Sequence, residues 1–106
     1  MSDLEVLKAA RELIKDPARW TQDSYARDVD GKITDPLNPD AVCWCAVGAI
    51  MKIKGSVIIQ CPQGPLAEYT NGTSLIIFND NHTHAEVMRL FDRQIADTEG
   101  GSYGRR

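Results

Sequence analysis

From Ala41 to Ile53 the chain is apolar nearly all round: Val42, Trp44, Cys45, Ala46, Val47, Ala49, Ile50, Met51 and Ile53 leave almost no polar face. Such a segment must be enclosed by the rest of the chain, because each Å² of apolar surface left in water costs roughly 25 cal/mol. A helix that is hydrophobic on every side is normally the buried centre of a domain. The flanks predict a helix over about residues 39–54. Asn38 is a capping residue type, Pro39 suits the first helical position, and Asp40 favours the positive end of the helix dipole. Lys52 and Lys54 suit the negative end, and Gly55 suits the stop. Gly48 costs helix propensity of about 1 kcal/mol relative to alanine. Its presence predicts another element crossing close to the backbone there.

Two amphipathic helices are legible around this segment. Ser2 and Glu5 have capping-box spacing, and Leu4, Leu7, Ala10, Leu13 and Ile14 follow at helical spacing. This predicts a first helix from Asp3 to Lys15, closed by Pro17, which pushes Asp16 out of helical geometry. Thr83 and Glu86 form a second capping box, followed by Val87, Leu90, Phe91 and Ile95 on one side. The last helix is predicted over His84–Ala96. Asp30-Gly31 supplies the positive φ angles of a tight turn and predicts a β-hairpin near residues 24–34. Val57-Ile58-Ile59 and Leu75-Ile76-Ile77-Phe78 are too short for periodicity to separate a strand from a buried helical turn. Pro65 suits the start of one short helical turn through Tyr69. The fold class expected is mainly α with minor β, a compact helical domain around the central apolar helix. The alternative is α+β, with short strands near 56–60 and 74–78. Residues 1–97 read as a single globular domain and 98–106 as a flexible C-terminal tail.

Composition narrows the function classes. A length of 106 residues fits one domain, and 42% hydrophobic with 25% charged residues is ordinary for a folded chain rather than a disordered one. The net charge of −3 speaks against a nucleic-acid partner, which needs clustered Lys and Arg. No stretch approaches the roughly 20 apolar residues that span a bilayer, and the first residues lack the apolar run of a signal peptide. The three cysteines, Cys43, Cys45 and Cys61, are an odd number and argue against a secreted disulfide scaffold. These features together predict a cytoplasmic protein, in a bacterium or a phage-infected cell, with no membrane partner. A protein partner fits; the oligomeric state is not legible.

Candidate chemistry is sparse. Cys43 and Cys45, placed at the start of a helix, would have the dipole and free N–H groups that favour thiolate. His82 or His84 would then take the proton, with Asp80 or a neighbouring amide to orient it. The plainer reading makes both cysteines small core hydrophobes. A zinc site is disfavoured, because Cys43-Trp44-Cys45 is C-x-C, and on a helix the two thiols would point about 200° apart. Asp28-Val29-Asp30-Gly31 overlays part of a calcium loop, but Ala26 and Leu37 fall where its first and last acidic ligands belong. No metal and no cofactor is therefore expected. The polar cluster of Arg27, Asp28, Asn79, Asp80 and Asn81 is the other candidate site, with Asp80 expected to pair with Arg27. Its residue types also suit helix capping.

Trp20-Thr21-Gln22, Ala26-Arg27-Asp28 with Gly31, Cys43-Trp44-Cys45-Ala46 with Gly48-Ala49, Phe78-Asn79-Asp80, and Thr83 with Glu86-Val87 occur in that order. The set resembles a family of small bacterial and phage proteins, a domain of unknown function, over residues 4–96. Phe78 stands where that family usually carries Trp. The resemblance implies a shared fold and draws attention to Cys45, Gly48, Asn79 and Asp80; it implies no activity. The functional expectation is a non-catalytic binding or regulatory module, with a small thiol hydrolase using Cys43 or Cys45 and His82 or His84 as the alternative.

Overall fold

The computed structural model describes residues 2–55 and 74–99. The run predicted near 56–60, the short turn from Pro65, Cys61 and residues 100–106 lie outside the described residues. Helix α1 spans Asp3–Leu13, and a 3-10 turn follows over Pro17–Arg19. Strands β1 (Ala26–Asp28) and β2 (Ala41–Trp44) form a two-stranded antiparallel sheet. Helices α2 (Ala46–Lys54), α3 (Leu75–Asn81) and α4 (His84–Glu99) complete the order. The architecture is mainly α with minor β.

Both predicted capping boxes form. At α1, Glu5 N–H donates to Ser2 Oγ and Ser2 N–H returns to Glu5 Oε1. At α4, Glu86 N–H donates to Thr83 Oγ1 and Thr83 N–H to Glu86 Oε1. These bonds satisfy helix N–H groups that have no partner within the helix, and they hold the Glu5 and Glu86 carboxyls below their ordinary titration range. α1 ends at Leu13, two residues earlier than predicted, and Asp16 caps the 3-10 turn through Ala18 N–H. α4 continues through Glu99, so Thr98 and Glu99 of the predicted tail are helical.

The central segment is not one helix. Residues 41–44 are strand, Cys45 is the N-cap, and the helix begins at Ala46. Helix propensity is a weak prior, and a segment with no polar face carries no periodicity to arbitrate. Here the neighbours decide. Cys45 N–H donates to Tyr25 O and Trp44 O accepts from Thr21 N–H, so these backbone groups are engaged by chain roughly 20 residues earlier rather than by a helical turn. Asn38-Pro39-Asp40 accordingly forms a turn, with Asn38 Oδ1 accepting from Asp40 N–H and Asn38 O from Ala41 N–H, instead of a helix start. Gly48 behaves as predicted. A β-carbon on it would fall onto the Tyr25 carbonyl. At the far end, Gly55 adopts the left-handed conformation that closes the helix, with φ 74°.

The hairpin near 24–34 is present only as a rudiment. Asp28 N–H donates to Lys32 O, Thr34 N–H donates to Ala26 O, and Arg27 bridges Ile33. Asp28 Oδ1 tightens the turn by accepting from Asp30 and Lys32 N–H. The main partner of β1 is β2, in the register Ala26↔Trp44 and Arg27↔Cys43. The run at 74–78, offered as a strand in the α+β alternative, is helical. Ser74 caps α3 through Ile76 N–H, and Leu75 and Asn79, four residues apart, point inward.

The core joins Val6, Leu7 and Ala10 of α1, with Ile14 at its C-cap, to Val47, Ile50 and Met51 of α2 and to Val87, Leu90 and Phe91 of α4. α1 lies against α2 and α4, and α3 bridges α2 and α4. α3 thereby presents Asn79 to the N-terminus of α2.

Candidate functional site

Asn79 is the one polar residue among the described residues that is fully closed to solvent, at 0% exposure. Its Oδ1 accepts from the Trp20 indole N–H at 2.7 Å and from Ala46 N–H at 3.0 Å. Its Nδ2 donates to Thr21 O at 3.1 Å and to Asp80 Oδ1 at 3.2 Å. The amide thus makes the two donor and two acceptor contacts available to it. Gln22 Nε2 donates to Asn79 O and His82 O, and Asp23 N–H to Asp80 Oδ1. The Trp20–Asp23 segment is thereby fastened to the end of α3 and the start of α2. The network supports position rather than chemistry, because a group with all its hydrogen bonds used internally has none to offer a ligand.

The predicted catalytic set does not converge. Cys45 is buried at the N-cap of α2, where its Sγ accepts from Gly48 N–H at 3.3 Å. A helix N-terminus favours thiolate, yet burial outweighs it and pushes the thiol from 9.0 up to about 11, with nearby Asp80 adding to the rise. Cys43 lies on β2 rather than at a helix start, and its Sγ faces Arg27 O at 3.9 Å. His82 Nδ1 donates to Phe78 O at 2.8 Å, and its ring stacks on Phe78. His84 Nε2 donates to Ile14 O at 2.7 Å, and its ring meets Trp20 edge-on. A carbonyl only accepts, so each of these ring nitrogens carries the proton. Neither histidine has a cysteine among its hydrogen-bond partners within the described residues.

The polar cluster divides as well. Arg27 does not pair with Asp80; its guanidinium donates to Thr21 Oγ1 and Gly31 O. The register sets Arg27 opposite Cys43, while Asp80 is taken up by Asp23 and Asn79. Asp28 closes its own turn, and Asn81 Nδ2 donates to Ile77 O. Among the described residues, no three His, Cys, Asp or Glu side chains are grouped to hold a metal ion. No described helix is long and apolar enough to cross a membrane.

One open feature adjoins the network. A cleft of about 290 Å³ is lined by Asp23, Ser24, Tyr25, Ile33, Cys45, Ile76 and Asp80. Of the sequence candidates it gathers only Cys45 and Asp80. Three of its walls are large apolar side chains left in water: Tyr25 is 41% exposed, Ile33 67% and Ile76 36%. In its lining the Ser24 hydroxyl is shut off from solvent without a hydrogen-bond partner among the described residues. Asp23, beside it, holds φ 66°, a left-handed conformation uncommon outside glycine. Sequence reasoning missed Asp23, Ser24, Tyr25, Ile33 and Ile76. A faint signal was available in Tyr25 and Ile33, two large apolar residues flanking a turn too short to cover them.

No curated protein and no solved structure matches the chain. A family model does match, over residues 1–97, and its description is Family of unknown function (DUF6197).

Proposed function

Because the chain belongs to this family of unknown function, its role has to be argued from its own site, and we propose that it is a non-catalytic binding module that takes a protein partner at the Tyr25–Ile33–Ile76 cleft. One observation carries the reading: Cys43, Cys45, His82 and His84 are held by internal bonds apart from one another, while the open cleft nearby keeps exposed apolar walls. Exposed apolar groups gathered around a concavity with a few polar groups are the ordinary makings of a recognition site. The same reading sets the protein in the cytoplasm of a bacterium or a phage-infected cell. Its support there is the odd cysteine count.

Against it stands a thiol hydrolase using Cys43 or Cys45 with His82 or His84. Thiol labelling of the native Cys61→Ser protein as a function of pH separates the two. The binding reading expects slow, monotonic labelling with no plateau near neutrality. A thiolate-like labelling step below about pH 7.5, the upper end for activated cysteines, lost on His82→Ala or His84→Ala, would establish the enzyme instead.

A further inference from the structure

The cleft lining combines the apolar Tyr25, Ile33 and Ile76 with two acids, Asp23 and Asp80. Asp80 contributes a carboxylate of which one oxygen, Oδ1, accepts from Asp23 N–H and Asn79 Nδ2. Oδ2 has no hydrogen bond among the described residues, and neither Asp23 nor Asp80 forms an ion pair with a described Lys or Arg. The Ser24 hydroxyl is buried in the cleft lining with no hydrogen-bond partner among the described residues. A buried hydroxyl without a partner is costly, so its orphaned state marks a place that a ligand's polar group can complete. Tyr25 lines the same cleft and is 41% exposed.

We propose that the cleft selects an arginine or lysine side chain, flanked by apolar residues, on an exposed segment of a partner protein. This deepens the binding reading above and rests on it. Charge complementarity fixes the central residue. The ligand's cation meets Asp23 and the free oxygen of Asp80, its N–H groups supply a partner for Ser24 Oγ, and its aliphatic stem lies along Ile33 and Ile76. A guanidinium can also lie over the Tyr25 ring. The exposed walls on either side favour a peptide over a bare polyamine, because they need apolar neighbours of the cation to cover them.

The test uses the isotope-labelled full chain and three blocked tripeptides with leucine at both ends and arginine, citrulline or glutamate between. Backbone amide shifts of Ser24, Tyr25, Ile33 and Ile76 report occupancy of the cleft. The arginine peptide is expected to move these amides and to bind about fivefold more tightly than the neutral citrulline isostere at low salt, with most of that margin lost at high salt. Asp23→Asn removes one charge but keeps a residue type that accepts positive φ, and it should abolish most of the margin. Ile33→Ser, at a largely exposed position, should weaken the arginine and citrulline peptides alike. Equal binding of these two in the cleft, unaffected by Asp23→Asn, overturns the cation preference and leaves the binding reading standing. Spermidine matching the arginine peptide overturns the protein-segment assignment. No shift at these amides with any peptide overturns both.

Discussion

Asn79 makes four side-chain hydrogen bonds from a site closed to solvent, and two of them reach residues more than 50 positions away. Truncation would orphan the Trp20 indole N–H, Ala46 N–H and Thr21 O together. A buried polar group left without a partner costs about 1–3 kcal/mol, and relaxation and water entry will recover part of the sum. Asn79→Ala is therefore expected to lower folding stability by roughly 3 kcal/mol, read as a fall in the urea midpoint. A loss under 1 kcal/mol would mean that the network is not what holds the Trp20–Asp23 segment. The sequence showed that Asn79 and Asp80 belong to a polar cluster preceding a helix. It did not show which of them is buried, because Asn, Asp and Thr are equally at home in caps. Cys45 is a similar case. Its position at a helix start was roughly legible, whereas the direction of its pKa was not. That direction depends on how much chain covers the sulfur.

Among the elements, α1 and α4 were readable because their signals are local. Each capping box links residues three apart, and each apolar stripe repeats within a turn. β2 and α2 were not separable by the same means. Their shared segment is apolar throughout, and the boundary at Cys45 follows from Tyr25 O and Thr21 N–H, which arrive from another part of the chain. Gly48 tests this boundary. By helix propensity alone, Gly48→Ala would stabilise α2 by about 1 kcal/mol. The Tyr25 carbonyl occupies the space the methyl group needs, and backbone cannot yield as a flexible side chain can. The substitution is therefore expected to destabilise, by about 2 kcal/mol or more, and to weaken amide-exchange protection at Cys45, whose N–H donates to Tyr25 O. A stabilised variant would remove the close crossing as the reason for glycine here. α3 was ambiguous for want of length; Ser74 at its cap and the four-residue spacing of Leu75 and Asn79 decide it in space.

At the scale of the whole molecule, the buried Cys45 thiol ties global stability to alkaline pH. Its value is raised from 9.0 to about 11, chiefly by burial. The folded chain keeps a proton that the unfolded chain releases in this interval, so stability falls as pH rises. The contribution is whole below about pH 9 and is lost progressively toward pH 11, amounting to roughly 2–3 kcal/mol. Urea midpoints for the parent and Cys45→Ala, compared from about pH 8 to 10.5, should converge as pH rises. A constant gap between the two would show that Cys45 does not titrate in this way. Part of the core, Leu7, Ala10, Ile14, Val87, Leu90 and Phe91, was legible from helical stripes, although Val6 was missed. The cleft was not, because Tyr25, Ile33, Ile76 and Asp80 come from three separate stretches and none is unusual where it stands.

The amino-acid sequence by itself determined the two capped amphipathic helices, the need to bury most of residues 41–53 (Val42, 42% exposed, is the exception), the close approach at Gly48 and the mainly α class. Apart from Gly48, where glycine in an apolar helix signals a crossing without naming its partner Tyr25, these rest on interactions within about one helical turn, or on a hydrophobic demand that any fold must meet. Tertiary structure alone decided the strand–helix division at Cys45, the helical state of residues 75–81, the burial of Asn79 and the gathering of the cleft. Those outcomes turn on which distant backbone group reaches a given N–H or C=O first. Neighbouring residues carry no record of that choice.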